Sequence, residues 1–196
     1  PGATLVYGFA HDVTPELVQS AIVDNTLLEH LQKVPVHSGD VFLIEPGTVH
    51  AIGGGVLLAE VQENSNVTYR LYDYGRRGKD GRPRQLHIEK ALAVMNFAMA
   101  SPVRQQQRVI RFTPGMAREL VARCRYFQVE RLHIAVQGKL LCTPETFYVL
   151  LVIEGDGCLH SNERRLSLTK GNTVFVPASR EELIFEGNMQ TLLVRI

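Results

Sequence analysis

The sequence predicts a mostly β protein with a few helices, built as two jelly-roll β-barrels in tandem, the first incomplete at its N-terminus. Two observations predict this fold. Short segments rich in β-branched and aromatic residues alternate with turns about every ten residues, most regularly over residues 109–196. Two stretches, residues 36–50 and 168–182, also have a similar pattern, which indicates two related β-units.

The overall composition is that of an ordinary soluble globular protein. The chain has 196 residues, of which 45% are hydrophobic and 21% charged, and its formal net charge is +1. This balance gives no reason to expect nucleic acid or an anionic membrane as partner. The longest apolar runs, such as residues 147–153, are too short to cross a bilayer, and no signal-peptide pattern precedes them.

The three cysteines indicate the compartment. Cys124, Cys142 and Cys158 are an odd number and form no CxxC pair. We therefore expect neither a disulfide framework nor a cysteine zinc site, and we expect the protein in the reducing cytoplasm.

The first domain is expected to span residues 1–100 and to contain two helical segments. Thr14 and Pro15 are an N-cap and a first helical residue, and apolar residues at helical spacing extend the prediction over residues 14–32. A second helical pattern covers residues 88–97. Residues 101–108 are polar and predict a linker to the second domain, residues 109–196.

Four further segments of the first domain are predicted as strands. They are rich in β-branched and aromatic residues, and they cover residues 5–9, 41–44, 56–62 and 67–74. The basic, glycine-containing segment 75–84 is predicted to be a solvated loop, with phosphate binding as the alternative.

The repeated pattern carries the first functional signal. Each copy has a glycine, a small polar residue, four apolar or β-branched residues, a turn and a return strand. The return strand opens with His50 in the first copy and with Glu182 in the second. We therefore predict that the second unit has no metal ligands, and that His133 and His160 in its strands are structural.

The first copy is similar to the second motif of the cupin family, Gly-x5-Pro-x-Gly-x2-His. Here it runs from Gly39 to His50, with Pro46 one place later than usual. A turn reverses the chain, and the histidine begins the next strand at the barrel mouth, where a metal and a small ligand can bind. Imidazole is a common zinc ligand, so we predict that His50 binds metal. The alternative is a buried, hydrogen-bonded histidine.

Polar residues are dense over residues 60–76. If the predicted strands form, Glu60 and Gln62 share one strand face. Arg70 stands in a similar row, where burying a guanidinium is costly unless an anion pairs with it. A phosphate or a developing oxyanion would suit its planar donors, while the alternative is an arginine on a solvated sheet face.

Taken together, these motifs resemble type I mannose-6-phosphate isomerases of the shorter bacterial kind. The strings that carry the resemblance are PGTVHAI (46–52), EVQ (60–62), TYRLYD (68–73) and QLHIEKAL (85–92). The resemblance is specific up to about residue 97 and looser to residue 196, where the family has a second, degenerate cupin domain.

The resemblance implies a zinc enzyme that interconverts mannose 6-phosphate and fructose 6-phosphate through an enediol. It implies that His50 is one zinc ligand and that Arg70 is catalytic, stabilising negative charge on the substrate oxygens. Arg70 is a poor general base because a guanidinium is not deprotonated in proteins. Glu60 is a candidate to move the proton, and a structural carboxylate is the alternative for it.

The chain departs from the family in one respect. The family's other zinc ligands, a histidine and a glutamate, lie upstream of the point that matches Pro1, and the chain opens without methionine. We therefore expect the N-terminal part of a longer protein to be absent. A catalytic zinc needs about three protein ligands, and His37 is not expected to be one, since it lies near the other end of the preceding strand. The alternative function is a metal-free cupin that binds a sugar or sugar phosphate.

Overall fold

The computed structural model describes residues 2–101, 109–162 and 164–196, and their fold is mostly β. The chain divides into two compact units, Pro1–Arg104 and Gln105–Ile196. Apart from Ser101, the predicted linker 101–108 lies outside the described residues. Within the described part of the chain, no helix is long and apolar enough to span a membrane.

The first unit contains a small antiparallel sheet and two helices. The three strands lie in the order β2-β1-β3. The elements along the chain are β1 (Thr4–Phe9), α1 (Pro15–Val23), a 3₁₀ turn (Leu27–Glu29), β2 (Leu31–Pro35), β3 (His50–Ile52) and α2 (Ile88–Leu92).

Helix α1 begins where the sequence predicts and ends earlier. The Leu17 backbone N–H donates to the Thr14 hydroxyl at 3.2 Å, which caps the helix start. Asn25 then adopts a left-handed backbone with φ 58°, and the Thr26 N–H donates to the Ala21 carbonyl at 2.8 Å. This bond pattern closes a helix C-terminus. The prediction of helix over residues 14–32 is therefore wrong beyond the end of α1.

Three predicted strands are absent from the described residues of the first unit. Residues 41–44, 56–62 and 67–74 have no regular strand structure. A strand is stable only beside a hydrogen-bonded neighbour, and none of these three segments pairs with the described sheet of β2, β1 and β3. The apolar side chains of these segments are partly unburied as well, since Leu57 is 91% exposed. β-propensity alone was therefore not sufficient.

Helix α2 is shorter than the predicted 88–97. It ends at Leu92, with Ala93 as its C-cap. The chain then turns toward the Gly47 loop, where the Asn96 N–H donates to the Gly47 carbonyl at 2.9 Å. A contact distant in sequence therefore ends this helix, while Met95 and Phe97 still pack on the apolar core.

The second unit is a single antiparallel sheet of seven strands. The path of hydrogen-bonded strands is β4-β5-β6-β10-β7-β8, and β9 also pairs with β7. The strands are β4 (Ile110–Thr113), β5 (Met116–Arg123), β6 (Gln128–Leu141), β7 (Tyr148–Ser161), β8 (Arg164–Thr169), β9 (Thr173–Val176) and β10 (Glu182–Arg195).

Neither sheet closes into the expected barrel within the described residues. The path through the second unit ends at β4 and at β8, and the first unit has only three paired strands. Closure requires the terminal strands to pair with each other, which these do not. The prediction of a mostly β chain of two units, the first incomplete, holds, and in the described residues neither sheet is closed by pairing between its terminal strands.

Two of the three longest strands of the second unit leave the extended conformation along one row. Gly187 of β10 pairs with Val136 on one side and Gly157 on the other. Val136 has φ 73° and Gly187 has φ 122°. A Cβ on Gly187 would lie 2.6 Å from the Gly157 Cα, so this row requires glycine for the strands to approach.

The repeated sequence pattern produces the same turn in both units. The Asp40 N–H donates to the His37 carbonyl at 3.1 Å, and the Asn172 N–H donates to the Thr169 carbonyl at 2.9 Å. In each turn the polar fourth side chain also accepts from the first backbone N–H, at 3.0 and 2.9 Å. The third residue is a glycine with φ 89° or 91°. The second copy continues into β9, whereas the first does not form that strand.

The core of the second unit provides a stability test. Phe185 is fully buried, while Phe112 on β4 is 80% exposed. We expect Phe185→Ala to lower the free energy of unfolding by about 3 to 5 kcal/mol, because it leaves a cavity. The matched Phe112→Ala change should alter it by less than about 0.5 kcal/mol. Urea denaturation of both variants measures the difference, and equal losses would contradict this description of the core.

Candidate functional site

His50 opens β3 after a tight turn. The Thr48 N–H donates to the Glu45 carbonyl at 3.1 Å, so the Pro46–Gly47 reversal predicted from the sequence is present. Gly47 has φ 86°, which a glycine adopts without strain at the third turn position. His50 then pairs with Tyr7 of β1 across the sheet. The turn and this register determine where the imidazole lies.

The His50 ring presents one nitrogen for a ligand. Its Nδ1 lies 2.9 Å from the Thr48 carbonyl oxygen. Since a carbonyl only accepts hydrogen bonds, Nδ1 is the donor, and the neutral ring carries its lone pair on Nε2. The side chain is exposed, and Nε2 has no hydrogen-bond partner among the described residues. This tautomer is the one a metal-binding histidine uses when its other nitrogen is held by a carbonyl.

The Tyr7 side chain contacts the segment that leads into this turn. Its hydroxyl donates to the Leu43 carbonyl at 2.8 Å, and its ring packs near Phe42. Burial raises the pKa of the Tyr7 hydroxyl, and the Glu45 carboxylate raises it further. The group is therefore a neutral donor at physiological pH. It attaches residues 41–44 to β1 although they form no strand.

Arg70 is anchored through both its backbone and its side chain. Its N–H donates to His87 Nδ1 at 3.2 Å, and the His87 N–H donates to the Arg70 carbonyl at 2.8 Å. One guanidinium nitrogen donates to the Gln85 carbonyl at 3.1 Å, and Nε lies 3.9 Å from an Asp73 oxygen. About 25% of the side chain stays exposed. The charged group is therefore oriented but still accessible.

Asp73 and Arg84 form an ion pair that the sequence analysis missed. Arg84 Nε donates to one Asp73 carboxylate oxygen at 2.6 Å, and an Arg84 terminal nitrogen donates to the other. The hydrogen bonds from Arg84 lower the pKa of Asp73, and the charges of Arg84, Arg70 and Arg76 add to this. The available signal was an acid three residues after Arg70, followed by a loop rich in arginine.

The basic loop 75–84 uses part of its charge internally. Arg84 pairs with Asp73, and Arg77 donates to the Gly81 carbonyl at 2.8 Å. The Arg76 guanidinium lies 5.6 Å from the centre of the Tyr74 ring. These contacts fold the loop on itself, and its proposed alternative role in phosphate binding stays a prediction.

The other candidate residues are not brought into contact with His50 or Arg70. Glu60 is exposed and lies in irregular chain, as does Gln62. The argument that these two side chains share a strand face is wrong, because no strand forms there. His37 lies 3.7 Å from Asp40, and its side chain is about 75% exposed. Across the described residues, no three or more His, Cys, Asp or Glu side chains are grouped to hold a metal ion.

The equivalent position in the second unit has a different environment. Glu182 opens β10 as His50 opens β3, but it forms an ion pair with Lys139 at 2.8 Å. His133 lies 3.5 Å from Glu119, and His160 lies 2.9 Å from Glu186. Each of these side chains therefore has an ion-pair partner on a neighbouring strand of the sheet.

Comparison with known proteins identifies the relatives. Residues 116–196 match the mannose-6-phosphate isomerase cupin domain. The chain is 32% identical to the mannose-6-phosphate isomerase ManA of Bacillus subtilis over 191 residues, which is 97% of this chain. This chain is a homologue of mannose-6-phosphate isomerases. The resemblance predicted from the sequence motifs is thereby confirmed.

Further comparisons with mannose-6-phosphate isomerases agree. The enzyme of Streptococcus mutans is 29% identical over 195 residues. The crystal structure of the Bacillus subtilis enzyme superposes on all of this chain and 61% of its own, with a TM-score of 0.88 and 27% identity. The two units therefore share their fold with that isomerase. The chain spans about 59% of the length of the curated relatives it matches.

The Asp73–Arg84 pair of this isomerase homologue predicts a pH dependence of stability. We expect Asp73→Asn to lower the unfolding temperature at neutral pH. Since the folded-state pKa of Asp73 is lowered, the pair stabilises the fold fully above the ordinary carboxyl pKa of about 3.9. This contribution is lost as the pH falls through the lowered value. Thermal melts from pH 7 to pH 3 should show the two proteins converging only in acid.

The matched control for this measurement is Glu60→Gln, which removes an exposed carboxylate without a described partner. It should leave the melting temperature close to that of the parent throughout. If the gap between Asp73→Asn and the parent stayed constant down to the most acid point, the pair would not be the source of the pH dependence.

Proposed function

We propose that this chain supplies part of the active site of an isomerase that interconverts mannose 6-phosphate and fructose 6-phosphate. The observation that carries the proposal is the anchored, accessible guanidinium of Arg70, in a chain homologous to these enzymes over 97% of its length. Its neighbours Gln85 and His87 belong to the same motif set that predicted the relationship. The substrate class is therefore a small sugar phosphate.

Arg70 has the properties that the chemistry of this isomerisation requires. Moving a proton between C1 and C2 through an enediol places negative charge on the attached oxygens. A guanidinium held by the Gln85 carbonyl and near Asp73 keeps its position while its other donors stay available. Such a preorganised cation stabilises the developing charge without moving during the reaction. Arg70 stays protonated, so it does not move the proton itself.

The zinc that the family implies would need about three protein ligands. His50 fits the part of one ligand, because its Nε2 is available. The described residues contain no group of three or more ligands, so they do not form a complete zinc site. We propose that His50 contributes one ligand, with the others coming from outside the described residues. A bound zinc would polarise a substrate oxygen; the role of Arg70 above does not depend on it.

The proton-transfer group stays open in this proposal. Glu60 keeps its carboxylate accessible, yet no described contact joins it to Arg70 or His50. Its assignment rests on residue type and on its place in the EVQ string. Glu60 is therefore kept as the candidate general base of this proposal.

A second candidate function is a metal-free sugar-phosphate binding module. The absence of a grouped metal site in the described part of the chain favours it. Such a module would bind mannose 6-phosphate, detected by calorimetry, without forming fructose 6-phosphate. We prefer the isomerase to the binding module. The anchored guanidinium of Arg70 lies in a sequence motif shared with the isomerases, and binding alone does not require it.

The proposal also includes a reducing compartment. Cys124, Cys142 and Cys158 are all free thiols. Free cysteines and the absence of a disulfide among them are what a cytoplasmic protein maintains. We therefore keep the cytoplasm as the proposed location.

The role of Arg70 is tested in a chimera. This chain replaces the matched 59% of the Bacillus subtilis ManA enzyme, and fructose 6-phosphate formation is measured. We expect Arg70→Ala to lower kcat about 100-fold or more, since a preorganised cation is lost. Arg70→Lys should recover only part of the rate, because an ammonium lacks the planar donors.

The matched control for the Arg70 experiment is Arg164→Ala, which removes an exposed arginine of β8 in the second unit. It should leave kcat within about twofold of the parent, as expected for a solvated surface charge. Thermal melts of each variant separate loss of rate from loss of fold. An Arg70→Ala chimera with unchanged turnover would refute the assignment, whatever its stability.

The role of His50 is tested by metal content rather than by rate. In the same chimera we expect His50→Gln to lower the zinc retained after dialysis, because Nε2 no longer donates a lone pair. His37→Gln is the matched control, since it removes an exposed histidine from the preceding turn. Elemental analysis gives zinc per chain. Equal zinc in the parent and in His50→Gln would rule out the ligand role.

A further inference from the structure

Three arginines converge on one pocket of the second unit. The pocket has a volume of about 190 Å³ and is lined by residues 123–125, 127, 128, 195 and 196, among them Arg123, Arg125 and Arg195. It lies where the hairpin between β5 and β6 meets the end of β10. None of these residues takes part in the isomerase site proposed above, which belongs to the first unit.

The sheet register brings two of these arginines together. Gln128 of β6 pairs with Arg123 of β5 on one side and with Arg195 of β10 on the other. Side chains directly opposite on antiparallel strands share a face, with Cβ atoms about 5 Å apart. Arg123 and Arg195 therefore flank Gln128 on one face of the sheet. The strand pairing itself places two positive charges beside a polar side chain.

The third arginine comes from the turn. Arg125 follows Arg123 by two residues, and its guanidinium lies 5.6 Å from the centre of the Tyr126 ring. The turn is held closed, since the Cys124 N–H donates to the Phe127 carbonyl at 3.0 Å. The Tyr126 N–H also donates to the Cys124 sulfur at 3.4 Å. Arg125 is therefore carried on an ordered turn beside the pocket.

These three charges are not compensated within the described residues. No carboxylate of the described chain lies within 4 Å of a nitrogen of Arg123, Arg125 or Arg195, although other arginines of the unit are paired. Glu130, two residues after Gln128, is occupied: it accepts from Arg118 at 2.5 Å and from Gln128 at 2.7 Å. The positive charges of Arg123, Arg125 and Arg195 repel one another, so an anion bound between these side chains would be stabilised.

The size and chemistry of the pocket define the ligand. Pockets for drug-sized molecules have about 300 to 1,000 Å³, so this one suits a smaller group. Guanidinium donors in a planar fork match the oxygens of a phosphate. We propose that this pocket binds a phosphate group, either as inorganic phosphate or as the phosphate of a small monoester. The site is independent of the proposed isomerase function.

The test is calorimetric titration of the chain with inorganic phosphate and, separately, with glycerol 3-phosphate. The parent should bind at least one of them saturably, and binding should weaken with added salt. The double variant Arg123→Gln/Arg195→Gln should bind roughly tenfold more weakly or worse, as expected for lost charge-assisted hydrogen bonds. The corresponding double lysine variant keeps the charge and should lose less.

The matched control is Arg164→Gln/Arg165→Gln, which removes the same net charge from β8. Those residues lie near Ser161 and Leu183, at the opposite end of β7 and β10 from Arg195. This control should bind phosphate like the parent. Saturation by only one of the two ligands would identify the source of the phosphate group.

Four outcomes would overturn the proposal. They are an equal loss of affinity in the β8 control, loss of binding in Arg70→Ala alone, no saturable binding by the parent in the millimolar range, and unchanged affinity in the Arg123→Gln/Arg195→Gln variant. The first would indicate a general charge effect, and the second would assign the binding to the first unit. Melting curves check that each variant is folded. If the double glutamine variant does not fold, the phosphate affinity of the double lysine variant is compared with that of the parent instead.

Discussion

The first unit depends on the close approach between the Gly47 turn and the chain that follows α2. A Cβ on Gly47 would lie 2.6 Å from the Val94 carbonyl oxygen, and the Asn96 N–H donates to the Gly47 carbonyl. Only glycine allows this contact with φ near 86°. The turn then begins β3 at His50. At its other end, α2 follows His87, which bonds reciprocally to Arg70. The two proposed site residues, His50 and Arg70, are therefore positioned by one continuous set of contacts.

The repeated sequence pattern places different side chains at the equivalent position of the two units. Both copies form the same turn, with a glycine at its third position and a polar side chain closing it. Both return strands open at the equivalent residue. In the first unit this is an exposed His50, whose Nε2 has no hydrogen-bond partner among the described residues, and in the second it is Glu182, paired with Lys139. The same backbone position thus carries a proposed ligand in one unit and a cross-strand ion pair in the other.

The sequence predicted local features well and non-local ones poorly. The cap at Thr14 and the Pro46–Gly47 turn depend on neighbouring residues, and both are present. Residues 56–62 were predicted to be a strand from their β-propensity, yet they form none. A strand needs a hydrogen-bonded partner, which propensity does not specify. Helix α2 ends early, because its following residues bond to the Gly47 loop, which lies about 45 residues away in sequence.

By itself, the sequence determined the mostly β class, the relationship to mannose-6-phosphate isomerases and the two residues of greatest interest, His50 and Arg70. These depend on residue type and spacing, which short motifs record directly. Only the tertiary structure decided which nitrogen of His50 is available, how Asp73 and Arg84 pair beside Arg70, and which three arginines of the second unit share a pocket. Each of these depends on contacts between residues distant along the chain. Strand register and loop packing set such contacts, because they minimise unpaired polar groups and buried charge over the whole fold.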